Sequence, residues 1–266
     1  VKMSAVDYSL QIDEARETAI CEVRGLSKSY RNFWLNDVSF KLEPGYIMGF
    51  VGRNGAGKST TIKAMLRLVK PDCGEVKMFG MDYAEDEEEC KKHLGIVLGE
   101  FDYYADKKLK TVTGVVRRFY PEWDEAAYRR CIARFELDET KRVKELSAGM
   151  KVKYALALAL SHGAKLLIFD EPTSGLDPVS RDDICNLFKS IVKSGERAIF
   201  FSTHIISDIE KCATHVTYIH DGEIAESTSV ENMLNKYSYM KEDGKPTLED
   251  IIVSLERTDY DDKIFD

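Results

Sequence analysis

The chain has 266 residues, enough for one large domain, or one domain with a sizeable subdomain, around a real core. Hydrophobic residues make up 44% and charged residues 32%, the profile of a soluble globular protein. The net charge of −8 argues against non-specific nucleic-acid binding, which needs a basic surface to neutralise phosphates, so no nucleic acid is expected among the partners.

Residues 1–18 are polar and show no clear period. They read as an N-terminal arm, too polar for a signal peptide. No stretch approaches the roughly 20 apolar residues of a membrane span. Any work at a membrane therefore needs an anchor outside this sequence. Cys21, Cys73, Cys90, Cys131, Cys185 and Cys212 are scattered, with no Cys-x-x-Cys pair. They read as reduced, buried thiols of a cytosolic protein rather than zinc ligands or disulfides.

Strand-like segments follow the arm: "AICEVRGL", "DVSFKLE", "YIMGFVG" and "GEVKMFG". "DVSFKL" alternates as a half-buried antiparallel strand does, and "YIMGFV" is apolar throughout, as a central buried strand is. The latter runs straight into a glycine loop, and "KSTTIKAMLRLVK" continues as an amphipathic helix. From about 84 to 160 the texture is helical, with "SAGMKVKYALALALSHG" opening on a serine N-cap and closing on a glycine. Strands and helices then alternate through "KLLIFD", "DPVSRDDICNLFKSIVKSG", "RAIFFSTH", "ISDIEKCA" and "THVTYIHDGEI", which implies parallel βαβ units. "KPTLEDIIVSLER" reads as a capped amphipathic helix with Thr247 as N-cap and Asp250 three residues on.

The glycine loop is Gly52, Arg53, Asn54, Gly55, Ala56, Gly57, Lys58, Ser59 and Thr60, a full match to G-x-x-x-x-G-K-[ST] between strand and helix. Its glycines let backbone N–H groups point into one concavity, and the helix N-terminus adds positive potential for phosphate. Lys58 is placed to reach the β- and γ-phosphates, and the Ser59 hydroxyl to hold Mg²⁺. "KLLIFDEP" supplies the other half of such a site. Asp170 ends an apolar strand and can hold Mg²⁺ through water. Glu171 stands where the chain leaves the sheet, and a carboxylate there can orient and deprotonate an attacking water. A guanine-reading Asn-Lys-x-Asp is absent from the sequence.

From about Cys21 to Ile224 the sequence resembles the ATP-binding subunits of ABC transporters, on motifs in that family's order. Beyond the phosphate loop, "KSY" offers Tyr30, an aromatic where members stack adenine. "LSAGM" stands where the family has its signature, usually LSGGQ. "LLIFDEP" is similar to its Walker B and catalytic glutamate. "SGLD" matches its D-loop with Asp177, and "STH" places His204 at its switch histidine. The fold so implied is α/β: a P-loop NTPase core with a mostly parallel sheet, an N-terminal antiparallel β subdomain and a helical insertion. The resemblance divides the chain into an arm at 1–18, an ATPase domain at 19–225 with its insertion at about 84–160, and a C-terminal helical extension with an acidic tail at 226–266.

The resemblance also implies two ATPase subunits, identical or different, paired head to tail. ATP and Mg²⁺ then lie between one subunit's phosphate loop and the other's Ser147, Ala148, Gly149 and Met150. It implies a polytopic membrane partner and a place on the cytoplasmic face of a bacterial membrane. Two departures stand out. Ala148 and Met150 replace the usual glycine and glutamine, and Gly99 and Glu100 stand where the family has a glutamine beside Mg²⁺. Glu100 is thus a candidate metal-side oxygen. "EFDYY" and "FYPEW" put six aromatics and a proline near the insertion, either in its own core or against a helix of the membrane subunit. Tyr103 and Tyr104 are the candidates for the latter. "YIMGFVGRNGAGKSTTIK", the LSxGM signature, "FFSTHIISDIE" and the C-terminal helix resemble the ATPases of ABC-2 and peptide-antibiotic exporters. An importer motor and a soluble ABC-type ATPase with no transport role stay open. His93, His162, His215 and His220 read as structural.

Overall fold

Apolar residues on both faces of one run of strands decide the architecture. The computed structural model describes residues 19–99, 104–240 and 246–264. Strand β3 (Ile47–Val51) is buried throughout, as its unbroken apolar run requires. It sits inside a six-stranded sheet with β6 (Leu94–Leu98), β7 (Leu166–Asp170), β8 (Ala198–Thr203), β9 (His215–His220) and β10 (Glu223–Ser229). The order is β10-β9-β3-β8-β7-β6. All neighbours are parallel except the β9–β10 hairpin.

Alternate residues of these strands feed two cores. Ile47, Leu167, Phe169, Ile199 and Phe201 point to one face, under helices α5 (Ala148–Ser161) and α6 (Pro178–Val192). Met48, Phe50, Ile168 and Phe200 point to the other. That face carries α1 (Lys58–Met65) and a four-stranded antiparallel sheet. The small sheet has the order β2-β1-β4-β5, from β1 (Cys21–Tyr30), β2 (Phe33–Leu42), β4 (Cys73–Met78) and β5 (Met81–Asp82). Strand β2 alternates buried and exposed, as "DVSFKL" predicts. The expected α/β layering is thus the observed one.

Within the 84–160 stretch, helix α2 (Glu87–Lys92) is followed by β6, which joins the core sheet beside β7. The part standing outside the sheet therefore starts later than 84, with α3 (Leu109–Val116), α4 (Glu125–Arg134) and α5. Thr113 Oγ1 shares hydrogen bonds of 2.8 Å with both Tyr128 and Tyr154, a buried knot that ties these three helices together. Strand β10 runs to Ser229, past the expected boundary at 225. Helix α7 (Ile206–Cys212) and helix α8 (Val230–Lys236) follow β8 and β10, and α9 (Leu248–Ile264) closes the chain. Its capping box is formed: Thr247 N–H donates to Asp250 Oδ2 at 2.8 Å and Asp250 N–H to Thr247 Oγ1 at 3.1 Å. All six cysteines are free thiols, but Cys73 is exposed and Cys131 half-buried, which corrects the expectation of uniform burial.

Candidate active site

Parallel register brings three strand ends to one edge of the large sheet. Val51 pairs with Thr203, and Asp170 with Ser202. The residues that follow each strand therefore meet in the crevice at the carboxyl ends, where open α/β sheets take ligands. The loop after β3 is Gly52 to Gly57, and α1 begins at Lys58.

Close approach dictates the first glycine. A Cβ at Gly52 would lie 2.4 Å from the carbonyl oxygen of Ile219, so no larger residue fits. Gly57 turns the chain into α1 at φ 114°, a conformation side chains rarely adopt. The hairpin turn between β9 and β10 braces the loop, as Gly222 N–H donates to Ala56 O at 3.0 Å. Thr61 Oγ1 locks the first helical turn by donating to Gly57 O at 2.9 Å.

Lys58 is buried, and its ammonium is held by Gly52 O at 2.8 Å, Arg53 O at 3.2 Å and Glu171 Oε1 at 3.3 Å. Ser59 Oγ donates to Asp170 Oδ1 at 3.1 Å. Two hard oxygen donors side by side at the crevice suit a small divalent cation. Ser202, one strand over, donates to the same Asp170 oxygen at 2.6 Å and accepts from Glu171 N–H at 3.0 Å. That hydroxyl fixes both acids at once. Ser202 lies in the "FFST" strand end, where no local motif marks it as a support of the acids.

Glu171 takes φ 54°, an uncommon conformation for a residue with a side chain. Such strain persists where surroundings over-determine it, and here it aims the carboxylate back over the glycine loop. Its second oxygen meets His204 Nδ1 at 2.8 Å. A carboxylate oxygen accepts in this bond, so Nδ1 carries the proton. The carboxylate thus links a lysine, through an ion pair, and a histidine, through a hydrogen bond.

A cavity of about 620 Å³ opens here, lined by Asn54, Gly55, Gly57, Lys58, Ser59, Thr60, Glu171 and His204. Asn32, Phe33 and Ser174 complete its wall. Phe33 is an aromatic that sequence reading passed over. Tyr30 does not line the cavity, and packs against Phe33 with ring centroids 6.5 Å apart. The Arg53 side chain turns away from this cavity towards α9, 3.1 Å from Glu256. Glu100 and Tyr103 lie outside the described residues.

The LSAGM stretch lies elsewhere. None of Ser147, Ala148, Gly149 and Met150 lines the cavity. Ser147 caps α5, accepting from Met150 N–H at 3.2 Å. Ser147 and Ala148 are exposed. Asp177 caps α6 by accepting from Val179 and Ser180 N–H groups, both at 3.0 Å. The two helix starts adjoin, with Ser180 about 3.7 Å from where a Cβ on Gly149 would sit. They therefore form one outward patch, where Asp177 already places a carboxylate on the start of α6 and the start of α5 keeps the anion-binding character of a helix N-terminus.

A third feature is an apolar groove of about 340 Å³ lined by Ile96, Tyr104, Val112, Val116, Tyr120, Leu158 and His162 among others. Tyr120 stacks on His162 at 3.8 Å, and burial pushes the histidine down to about 4, so its ring is neutral at pH 7. The described aromatics differ in burial. Trp123 packs on the core, while Tyr104 is 60% and Phe119 75% exposed.

Comparison with known proteins places this geometry. A family model described as ABC transporter matches residues 35–174. The chain is 32% identical over 220 residues to a bacitracin transport ATP-binding protein, BcrA, of Bacillus licheniformis, covering 82% of this chain and 70% of that one. It is 29% identical over 217 residues to the ABC transporter ATP-binding protein YtrB of Bacillus subtilis, covering 81% and 74%. A solved structure of an ATP-binding subunit of an ABC transporter superposes with a TM-score of 0.78 at 25% identity, covering 89% of this chain and 99% of that one.

Proposed function

The chain belongs to the ABC transporter ATP-binding family, and from that membership we propose that it is the ATP-driven motor of an exporter, paired head to tail with a second ATPase subunit. The observation that carries the pairing is the division of the site. Lys58, Ser59, Glu171 and His204 line one cavity, while the signature stretch at Ser147 to Met150, exposed at Ser147 and Ala148, has no place on its wall. Each half lacks what the other offers, so a triphosphate in the cavity of one subunit is completed by the patch of another.

The chemistry is hydrolysis of the γ-phosphate. Lys58 Nζ holds the β- and γ-phosphate oxygens, and the glycine-loop N–H groups cradle the rest. Ser59 Oγ and Asp170 are placed to hold Mg²⁺, which when bound offsets phosphate charge. Glu171 orients the attacking water and takes its proton at the carboxylate. His204 steers that carboxylate through Nδ1–H, and its Nε2 side reaches towards the γ-phosphate. Ser202 keeps Asp170 and Glu171 in register. The adenine rests on the Tyr30–Phe33 pair, of which Phe33 lines the cavity. The signature's Ser147 hydroxyl and the N–H of Gly149 meet the γ-phosphate of the partner's ATP. Hydrolysis removes those contacts and loosens the pair, a ligand-biased two-state switch.

The apolar groove beside Tyr104 and Tyr120 suits an amphipathic helix from a polytopic membrane subunit. Among the described residues no helix is long and apolar enough to cross a membrane. A partner that anchors the motor to the cytoplasmic face supplies what these helices do not. The names of the relatives, a bacitracin transport protein among them, favour a transport role over a transport-free one, and export is the proposed direction.

The deciding experiment is the mass of purified Glu171→Gln protein by light scattering, with and without ATP-Mg²⁺. A shift from monomer to dimer on ATP is expected. Unchanged mass with ATP bound would refute self-pairing, leaving a different ATPase as partner.

A further inference from the structure

The C-terminal helix reaches the phosphate loop. Glu256 on α9 is nine-tenths buried, yet it is a carboxylate. One oxygen accepts from Tyr218 OH at 2.7 Å and lies 3.5 Å from His220 Nδ1. The other lies 3.1 Å from Arg53 Nε. Tyr218 is the register partner of Val51, the last residue before the loop. At its other end α9 is pinned to α7, where Leu248 N–H donates to Glu210 Oε1 at 2.8 Å. Helix α7 directly follows His204. One helix therefore spans from the histidine-bearing segment to the phosphate loop. A cavity of about 730 Å³, lined by Arg53, Asn54, His204, Ile252 and Glu256 among others, separates it from the loop.

Burying a carboxylate is costly unless it is paired. Leu248, Ile251 and Ile252 already seat α9 on the core, so its packing does not call for a charge at 256. Arg53 does. Its carbonyl and that of Gly52 are two of the acceptors that hold Lys58 Nζ. Fixing the Arg53 side chain restrains the backbone that positions the lysine and aims the loop's N–H groups. A loop ordered in advance loses less entropy when phosphate binds.

We infer that Glu256 is a positioning residue for the phosphate loop, through which the C-terminal helix sets the affinity of the site for nucleotide. The inference rests on the reading of the 620 Å³ cavity as the ATP site. A purely electrostatic role has the opposite sign. A carboxylate near a triphosphate site repels the ligand, so its removal alone would tighten binding.

The test uses the full chain in four forms: wild type, Glu256→Gln, Arg53→Leu and the double variant. KM for ATP-Mg²⁺ and kcat are read from phosphate release, and Tm from thermal unfolding. Glutamine keeps the shape and still accepts from Tyr218. Glu256→Gln is expected to raise KM about three- to fivefold, the upper scale of an ion pair whose arginine is largely exposed, with kcat within about twofold. The double variant is expected to bind no more weakly than the weaker single variant, because both remove one contact. KM unchanged or lowered in Glu256→Gln overturns the inference, and so do factors that multiply in the double variant. Tyr218→Phe guards against a general loosening of α9. It takes a different bond from the same carboxylate and is expected to lower Tm while KM stays within about twofold. A KM rise equal to that of Glu256→Gln would overturn the inference. Wild-type protein with no ATP turnover would overturn the ATP reading and the inference together, whereas normal turnover indifferent to Glu256 would overturn the inference alone.

Discussion

Replacing Glu171 by glutamine separates chemistry from binding, because the structure gives this carboxylate two partners of different kinds. His204 Nδ1 sits 2.8 Å from one oxygen, and a glutamine carbonyl accepts that proton as well. The side chain therefore keeps its place. Lys58 Nζ sits 3.3 Å from the other oxygen but retains Gly52 O at 2.8 Å and Arg53 O at 3.2 Å. With two acceptors left, the buried ammonium loses about 1 kcal/mol of support, a modest change in stability. A triphosphate that enters must also compete with Glu171 for Lys58, so the amide leaves ATP affinity unchanged or higher. The general base itself is worth about a hundred- to ten-thousandfold, or roughly 3–5 kcal/mol of barrier. Phosphate release at saturating ATP-Mg²⁺ should fall by that factor, while titration calorimetry shows ATP bound at least as tightly. Turnover within about threefold of wild type would remove Glu171 from the base role. A loss of ATP affinity beyond about tenfold would refute the assignment of its Lys58 contact as a competitor rather than a support.

Three other outcomes follow from single contacts. Ser202→Ala removes the 2.6 Å bond to Asp170 and one of the two acceptors of Glu171 N–H, the other being Ser202 O at 3.2 Å. Stability should drop by about 2–3 kcal/mol, read from the urea midpoint, and a change below about 0.5 kcal/mol would contradict the pairing. Gly149→Ala adds a Cβ at an ordinary 3.7 Å from Ser180, so the fold should tolerate it. Its effect should instead appear as weaker ATP-driven pairing of the Glu171→Gln protein, and unchanged pairing would argue against Gly149 as the face that meets phosphate. His162 titrates near 4 in the fold because burial disfavours its charged form, against an ordinary 6.5. The unfolded chain takes up this proton first, so stability falls as pH drops through that window, by up to about 3 kcal/mol. In His162→Phe the loss between pH 7 and 4 should be smaller, and an equal loss would exclude His162 as its source.

The sequence by itself determined the local machinery. Glycine spacing, the lysine and the flanking apolar strand specify a phosphate loop, because the residues that carry the motif lie within a few positions of one another. Ser147 is legible as a helix cap for the same reason and proves to cap. Asp177, named only through its D-loop match, proves to cap as well. The unbroken apolar run of β3 and the alternation of β2 announce their sheets. Other features needed the folded chain. "LGIVL" is too short and too uniformly apolar to be told from a helix by its pattern, and only pairing with β7 makes it a strand. Cys73 is exposed because β4 carries it on a solvent-facing position, which cysteine count does not reveal. Ser202 becomes a support of the acids through lateral register across 32 residues of chain. Phe33, rather than Tyr30, lines the cavity because β2 turns back beside the loop. Arg53 and Glu256 come from opposite ends of the chain, and no local period links them. Motifs encode backbone conformation within a few residues, whereas contacts between elements depend on packing that the whole core must settle first.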